Sequence, residues 1–145
     1  MTRLVGRLLL EILPTVVSAL LLLAALHLML GENPAAALGT AAHHLFLFMD
    51  IGLGVWLMLL IVVTVRRREP ATSSRSLLFA VIGVIANLLT VIVVGFVQQG
   101  SLATEFIGFA LEAGIAFVLA VLLVLGVRTV TTRRTRHARV ADTAK

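Results

Sequence analysis

Two acidic residues lie inside long apolar stretches of this sequence, where a carboxylate has no basic residue nearby along the chain. Asp50 and Glu112 each fall about two helical turns, roughly 10 Å at ~1.5 Å per residue, from the end of an apolar segment. An ionisable group deep in a bilayer costs roughly 2.5–3.5 kcal/mol, so it normally faces other helices or water. We therefore expect these two carboxyls to bind a proton or a cation, and to share it if they meet.

An amide side chain lies near the middle of another apolar segment. Asn87 shares a helical face with Ala80, Gly83 and Thr90, and small or polar residues on one face let a second helix approach closely. We expect Asn87 to line the same cavity as the acids. The alternative is that Asn87 and Thr90 only pack helices together, with the amide bonded to one of the acids.

Three histidines lie close to the ends of apolar segments and are weaker candidates for metal binding. His43 and His44 begin one segment, and with Glu32 they offer ligands of the type that zinc or copper binds. His27 is predicted to point away from the other helices. Ordinary histidines at the membrane surface are the alternative, and a haem is less favoured because no two histidines occupy facing mid-membrane positions.

The sequence carries no motif of a known catalytic centre. It contains no Gly-rich phosphate loop, no nucleophile elbow and no His-Glu-x-x-His zinc motif, and its lack of cysteine removes thiolate chemistry. We therefore expect a protein that is not an enzyme and has no cofactor.

The elements that position these residues are membrane spans. Of the 145 residues 60% are hydrophobic and only 13% are charged, with a mean hydropathy of +1.10. The charges avoid four apolar stretches near the ~20 residues that a helix needs to cross a bilayer. We predict an all-α integral membrane four-helix bundle with spans at residues 8–30, 44–65, 77–97 and 105–127, joined by loops at 31–43, 66–76 and 98–104.

The charge distribution predicts the orientation of those spans. With four spans, all 12 Lys and Arg residues fall on one side, and basic loops are retained in the cytoplasm during insertion. We expect a multi-pass protein of the plasma (inner) membrane with both termini cytoplasmic. The excess of basic residues is then explained by the membrane topology, so we expect no nucleic-acid partner. A cleaved signal peptide ending near residues 35–37 is an alternative, but the first apolar segment is longer than a signal core.

The segment 128–145 is polar and basic, without an apolar helical face. We predict a disordered cytoplasmic tail that lies against anionic lipid headgroups, since each basic residue near the surface gains about 1 kcal/mol there.

An internal repeat relates the second predicted span to the fourth. One alignment pairs Asp50 with Glu112, Gly52 with Gly114 and boundary Arg66 with Arg128. This pattern predicts two parallel helical hairpins, a repeat class found in transporters. Chance agreement between apolar helices is the alternative, because the first and third spans do not align.

These features favour proton- or cation-linked transport through a site containing Asp50, Glu112 and Asn87. Four short helices leave little room for a path within one chain, so we expect a homo-oligomer. The alternatives are a non-catalytic accessory or scaffold subunit of a larger membrane complex, and a metal-handling protein that uses His27, His43 and His44.

Overall fold

A computed structural model describes residues 2–67, 73–98 and 102–143, and within these ranges the chain is helical with no strand. The described residues form five helices: α1 Thr2–Met29, α2 Pro34–Leu47, α3 Asp50–Arg67, α4 Ser73–Gln98 and α5 Leu102–Thr143. Three of them contain segments long and apolar enough to cross a membrane, at Leu9–Met29, Arg75–Gly95 and Glu105–Thr131. The described residues are therefore all-helical, and the long apolar helices indicate a multi-pass membrane protein.

The second predicted span is broken. Helices α2 and α3 meet at a bend of 63°, and together they make a fourth candidate span. The prediction of one helix over residues 44–65, preceded by a loop over 31–43, is wrong, because α2 begins at Pro34. The side chain of Asn33 caps α2 by accepting a hydrogen bond from the backbone N–H of Ala36, at 2.9 Å, and proline at the first position suits a helix start.

A close approach of α3 to α4 fixes one side of the helix packing. A Cβ placed on Gly83 would lie 2.5 Å from the backbone oxygen of Gly52, so only glycine fits there. Nearby, the ring of Trp56 packs edge-on against Phe117 of α5 with centroids 5.0 Å apart, and both side chains are buried. The core thus joins α3, α4 and α5 at the middle of the apolar segments.

A contact between α5 and α1 fixes the helix packing at another place, near the boundary of the apolar segments. Pro14 lies inside α1 and has no N–H, which leaves the carbonyl of Leu10, one turn earlier, without its helical donor. The guanidinium of Arg128 donates a hydrogen bond to that carbonyl at 2.6 Å. A boundary arginine therefore compensates for a proline on another helix.

Helix α5 is longer than the predicted span, because it continues to Thr143. The segment from residue 128 onward, which we predicted to be a disordered tail, is helical as far as Thr143. Residues 144 and 145, at its end, lie outside the described part of the chain.

Candidate functional site

The buried polar cluster of the structure brings Glu112 of α5 together with two histidines. Nε2 of His27 lies 3.0 Å from one carboxylate oxygen of Glu112, and Nδ1 of His44 lies 3.4 Å from the other. Both histidine side chains are more than nine-tenths buried, at 8% and 7% exposure. Helices α1, α2 and α5 thus each contribute one ionisable side chain to one point.

The turn that ends α1 brings a further acidic residue, Glu32, back to the side chain of His27. Gly31, with a φ of 93°, ends the helix, and the backbone N–H of Glu32 donates to the carbonyl of His27 while that of Gly31 donates to the carbonyl of Leu28. This is the Schellman pattern of helix termination, which glycine favours because it accepts a positive φ. It places Oε1 of Glu32 2.9 Å from Nδ1 of His27.

The carboxylate of Glu32 is itself held in place. Its second oxygen accepts a hydrogen bond of 3.1 Å from the hydroxyl of Thr40 on α2. Because a carboxylate only accepts hydrogen bonds, Nδ1 of His27 is the donor in their contact. The proton on Nδ1 leaves Nε2 facing Glu112.

Aromatic rings orient His44 within the cluster. The ring of Phe109 lies 4.5 Å from that of His44, and the ring of Phe48 lies 5.7 Å away. The His27 and His44 rings meet edge to face at 5.1 Å. These contacts and the burial of both histidine side chains keep the polar groups in a water-poor setting.

The contacts within the cluster are short but are not aligned as hydrogen bonds. Nε2 of His27, Nδ1 of His44 and Oε1 of Glu112 are buried, and no hydrogen-bond partner satisfies them among the described residues. One ligand atom from each of the three residues nevertheless lies within 4.8 Å of the others. These atoms are therefore close enough together to bind one ion.

Asp50, the second predicted acid, lies outside this cluster. It is the first residue of α3, is exposed, and accepts a hydrogen bond of 2.7 Å from the backbone N–H of Ile51. It borders a groove of about 340 Å³ whose lining includes Asn87, Thr90 and Phe106. The structure therefore groups Asp50 with Asn87, and Glu112 with the histidines.

Asn87 is buried at the break between α2 and α3. Its Nδ2 donates to the carbonyl of Phe48 at 2.5 Å, and its Oδ1 accepts from the backbone N–H of Gly52 at 3.4 Å. In an uninterrupted helix these two backbone groups would bond to each other. The amide of Asn87 stands between them, so it supports the bend and satisfies backbone groups that the bend exposes.

The two remaining histidine predictions have different outcomes. His27, predicted to point away from the other helices, is buried and faces Glu112, because α2 folds back over that side of α1. His43 is exposed and packs 5.6 Å from the ring of Phe48, outside the cluster. The sequence signal for the missed arrangement was Asn33-Pro34, a helix start within the predicted loop.

Comparisons with protein families, with curated proteins and with solved structures found no match for this chain.

Proposed function

We propose that this chain is a small membrane protein that binds a cation or a proton at Glu112 as one step of cation-linked transport. The observation that carries the proposal is the buried contact of the Glu112 carboxylate with His27 and His44. Ionisable side chains within membrane segments are costly to bury and commonly mark ion or proton pathways. The proposal involves no catalysed reaction.

The proposed placement follows from the basic residues. Both termini and the loop between α3 and α4 lie in the cytoplasm, in a plasma (inner) membrane, and the basic end of α5 meets anionic headgroups. The cluster then lies near the outer face, since Glu112 is about 10 Å along α5 from Glu105 at ~1.5 Å per residue. An ion that enters there continues inward along a path that we assign to the interface with a second copy.

Flux measurements on purified protein in proteoliposomes test this function. Wild-type protein should carry protons or cations above the rate of empty liposomes, and Glu112→Gln should lose that flux because it removes the charge without changing the shape. Glu105→Gln is the matched control, since Glu105 is exposed on the same helix. Wild-type protein without flux for any proton, monovalent or divalent gradient would contradict the proposal.

A second candidate function is that of an accessory subunit in a larger membrane complex. The exposed carboxylate of Asp50 favours it, because this acid borders a groove otherwise lined mostly by apolar side chains such as Leu47 and Val94. A carboxylate facing lipid is costly unless a partner supplies a polar group. This function predicts that Asp50→Asn changes the mass of the assembly in native electrophoresis while no flux is lost.

A further inference from the structure

We propose, resting on the function above, that the bound cation is a divalent transition metal of the zinc class. Its ligands are Nε2 of His27, Nδ1 of His44 and the carboxylate of Glu112. Three helices bring these atoms within 4.8 Å of one another. The proposal thus names the class of cation that these residues would bind in preference to other cations.

The spacing of the ligand atoms fits a tetrahedral ion. Zinc binds histidine nitrogen and carboxylate oxygen at about 2.0–2.2 Å, so neighbouring ligand atoms of a tetrahedron lie about 3.3 Å apart. Nε2 of His27 lies 3.0 Å from Oε1 of Glu112 and Nδ1 of His44 lies 3.4 Å from Oε2, while one ligand atom from each residue lies within 4.8 Å of the others. Binding therefore needs the most widely separated ligand atoms to approach each other by up to about 1.5 Å.

The outer contacts of His27 are those of a metal ligand. Histidine ligands usually donate their second ring N–H to a carboxylate, which fixes the ring and makes the metal-binding nitrogen more basic. Glu32 receives that hydrogen bond at 2.9 Å, and Thr40 holds Glu32 in turn. Nε2, the ring nitrogen left for a metal, lies 3.0 Å from the carboxylate of Glu112.

Unsatisfied polar atoms supply the reason for an ion at this point. Nε2 of His27, Nδ1 of His44 and Oε1 of Glu112 are buried and have no hydrogen-bond partner among the described residues. Leaving a buried polar atom without a partner is costly. A divalent ion satisfies His27, Glu112 and His44 together.

The ligand types predict which ions bind. Imidazole suits zinc, copper and nickel, whereas magnesium and calcium prefer sites made of oxygen alone. Two histidines and one carboxylate also leave a fourth position for water, and an open position lets an ion exchange. A site of this kind suits an ion that is carried better than one that only stabilises the fold.

Metal titration of tag-free protein in detergent micelles tests the proposal. Zinc should bind at one ion per chain by calorimetry, and cobalt should give the visible absorption of a tetrahedral ion. Glu112→Gln and His44→Gln should each weaken zinc binding by about 100-fold or more, and Glu32→Gln by about 10–100-fold as an outer contact. His43→Gln should change the affinity by less than about 2-fold, because this exposed neighbour lies outside the cluster.

The outcomes separate the metal site from the transport function. Circular dichroism and gel filtration identify variants that are folded, and only these count. If folded wild-type protein binds no zinc, or if His43→Gln weakens binding as much as His44→Gln, the metal site is wrong. Proton flux that depends on Glu112 would then still support transport. If zinc binds as described but no ion is carried, the site stands and the transport function fails.

Discussion

Replacing Asn87 by leucine tests how the break between α2 and α3 is held. Leucine has nearly the same volume but cannot donate to the carbonyl of Phe48 or accept from the N–H of Gly52, at 2.5 and 3.4 Å in the structure. Because Asn87 is 1% exposed, water does not replace it. We expect the variant to be less stable and its α2 helix to be less well held.

The magnitude follows from the two lost hydrogen bonds. Polar contacts between membrane helices average about 0.6 kcal/mol, which sets a lower limit near 1 kcal/mol for two. Two orphaned buried backbone groups would cost up to about 6 kcal/mol at ~1–3 kcal/mol each. We expect about 3 kcal/mol, since the longer bond contributes less and the two backbone groups can partly bond to each other.

The assay is unfolding by titration with sodium dodecyl sulfate in mixed micelles, followed by circular dichroism. Thr90→Val is the matched control, because its hydroxyl lines the same groove but bonds only to the carbonyl of Ala86 on its own helix. The control should stay within about 0.5 kcal/mol of wild type. If Asn87→Leu is as stable as that control, the amide does not support the bend and the reasoning is refuted.

Three further predictions concern packing, the proline contact and pH. Gly83→Ala should lower the free energy of unfolding by about 2–3 kcal/mol in the same assay, because the added Cβ would meet the backbone of Gly52. Gly54→Ala is the control and should be neutral, because no atom lies within 4 Å of its added Cβ. Equal stabilities of the two variants would refute the close helix approach. Arg128→Met should cost about 0.5–1.5 kcal/mol, because its hydrogen bond is exposed and water can partly replace it. The cost should be smaller in a Pro14→Ala background, where α1 supplies its own N–H to the carbonyl of Leu10; equal costs in both backgrounds would refute the compensation. Zinc affinity should fall as pH falls from 7.5 to 5.5, because protons compete with the metal for the imidazole nitrogens, and calorimetry in buffers of different ionisation heat should detect proton release; affinity independent of pH would contradict histidine ligation.

The sequence predicted the membrane class of this fold because hydropathy reports it directly. It did not predict the break after Leu47, since no glycine or proline interrupts the apolar run there. The group that supports the break, Asn87, belongs to another helix and is distant along the chain. An apolar sequence interrupted there only by Asp50, without a helix-breaking residue, therefore predicted a continuous helix.

The arrangement of the candidate site was open to sequence reasoning only in part, for a related reason. Glu112 was identified because an acid in an apolar segment is unusual whatever its partners are. Its histidine partners were not assigned, since their meeting depends on α2 folding back over α1, and a helical wheel of α1 alone placed His27 on the outside. The return of Glu32 to His27 follows from Gly31, a local signal that was open to sequence reasoning.

Cation flux measured side by side for wild type, Asp50→Asn and Glu112→Gln, at equal reconstitution, is the most direct test of the central claim. The claim is that the ion-binding centre is Glu112 with its two histidines, and not a pair of acids. We predict that Asp50→Asn retains most of the wild-type flux and that Glu112→Gln loses it. Equal loss in both variants, or full flux in Glu112→Gln, would contradict this account.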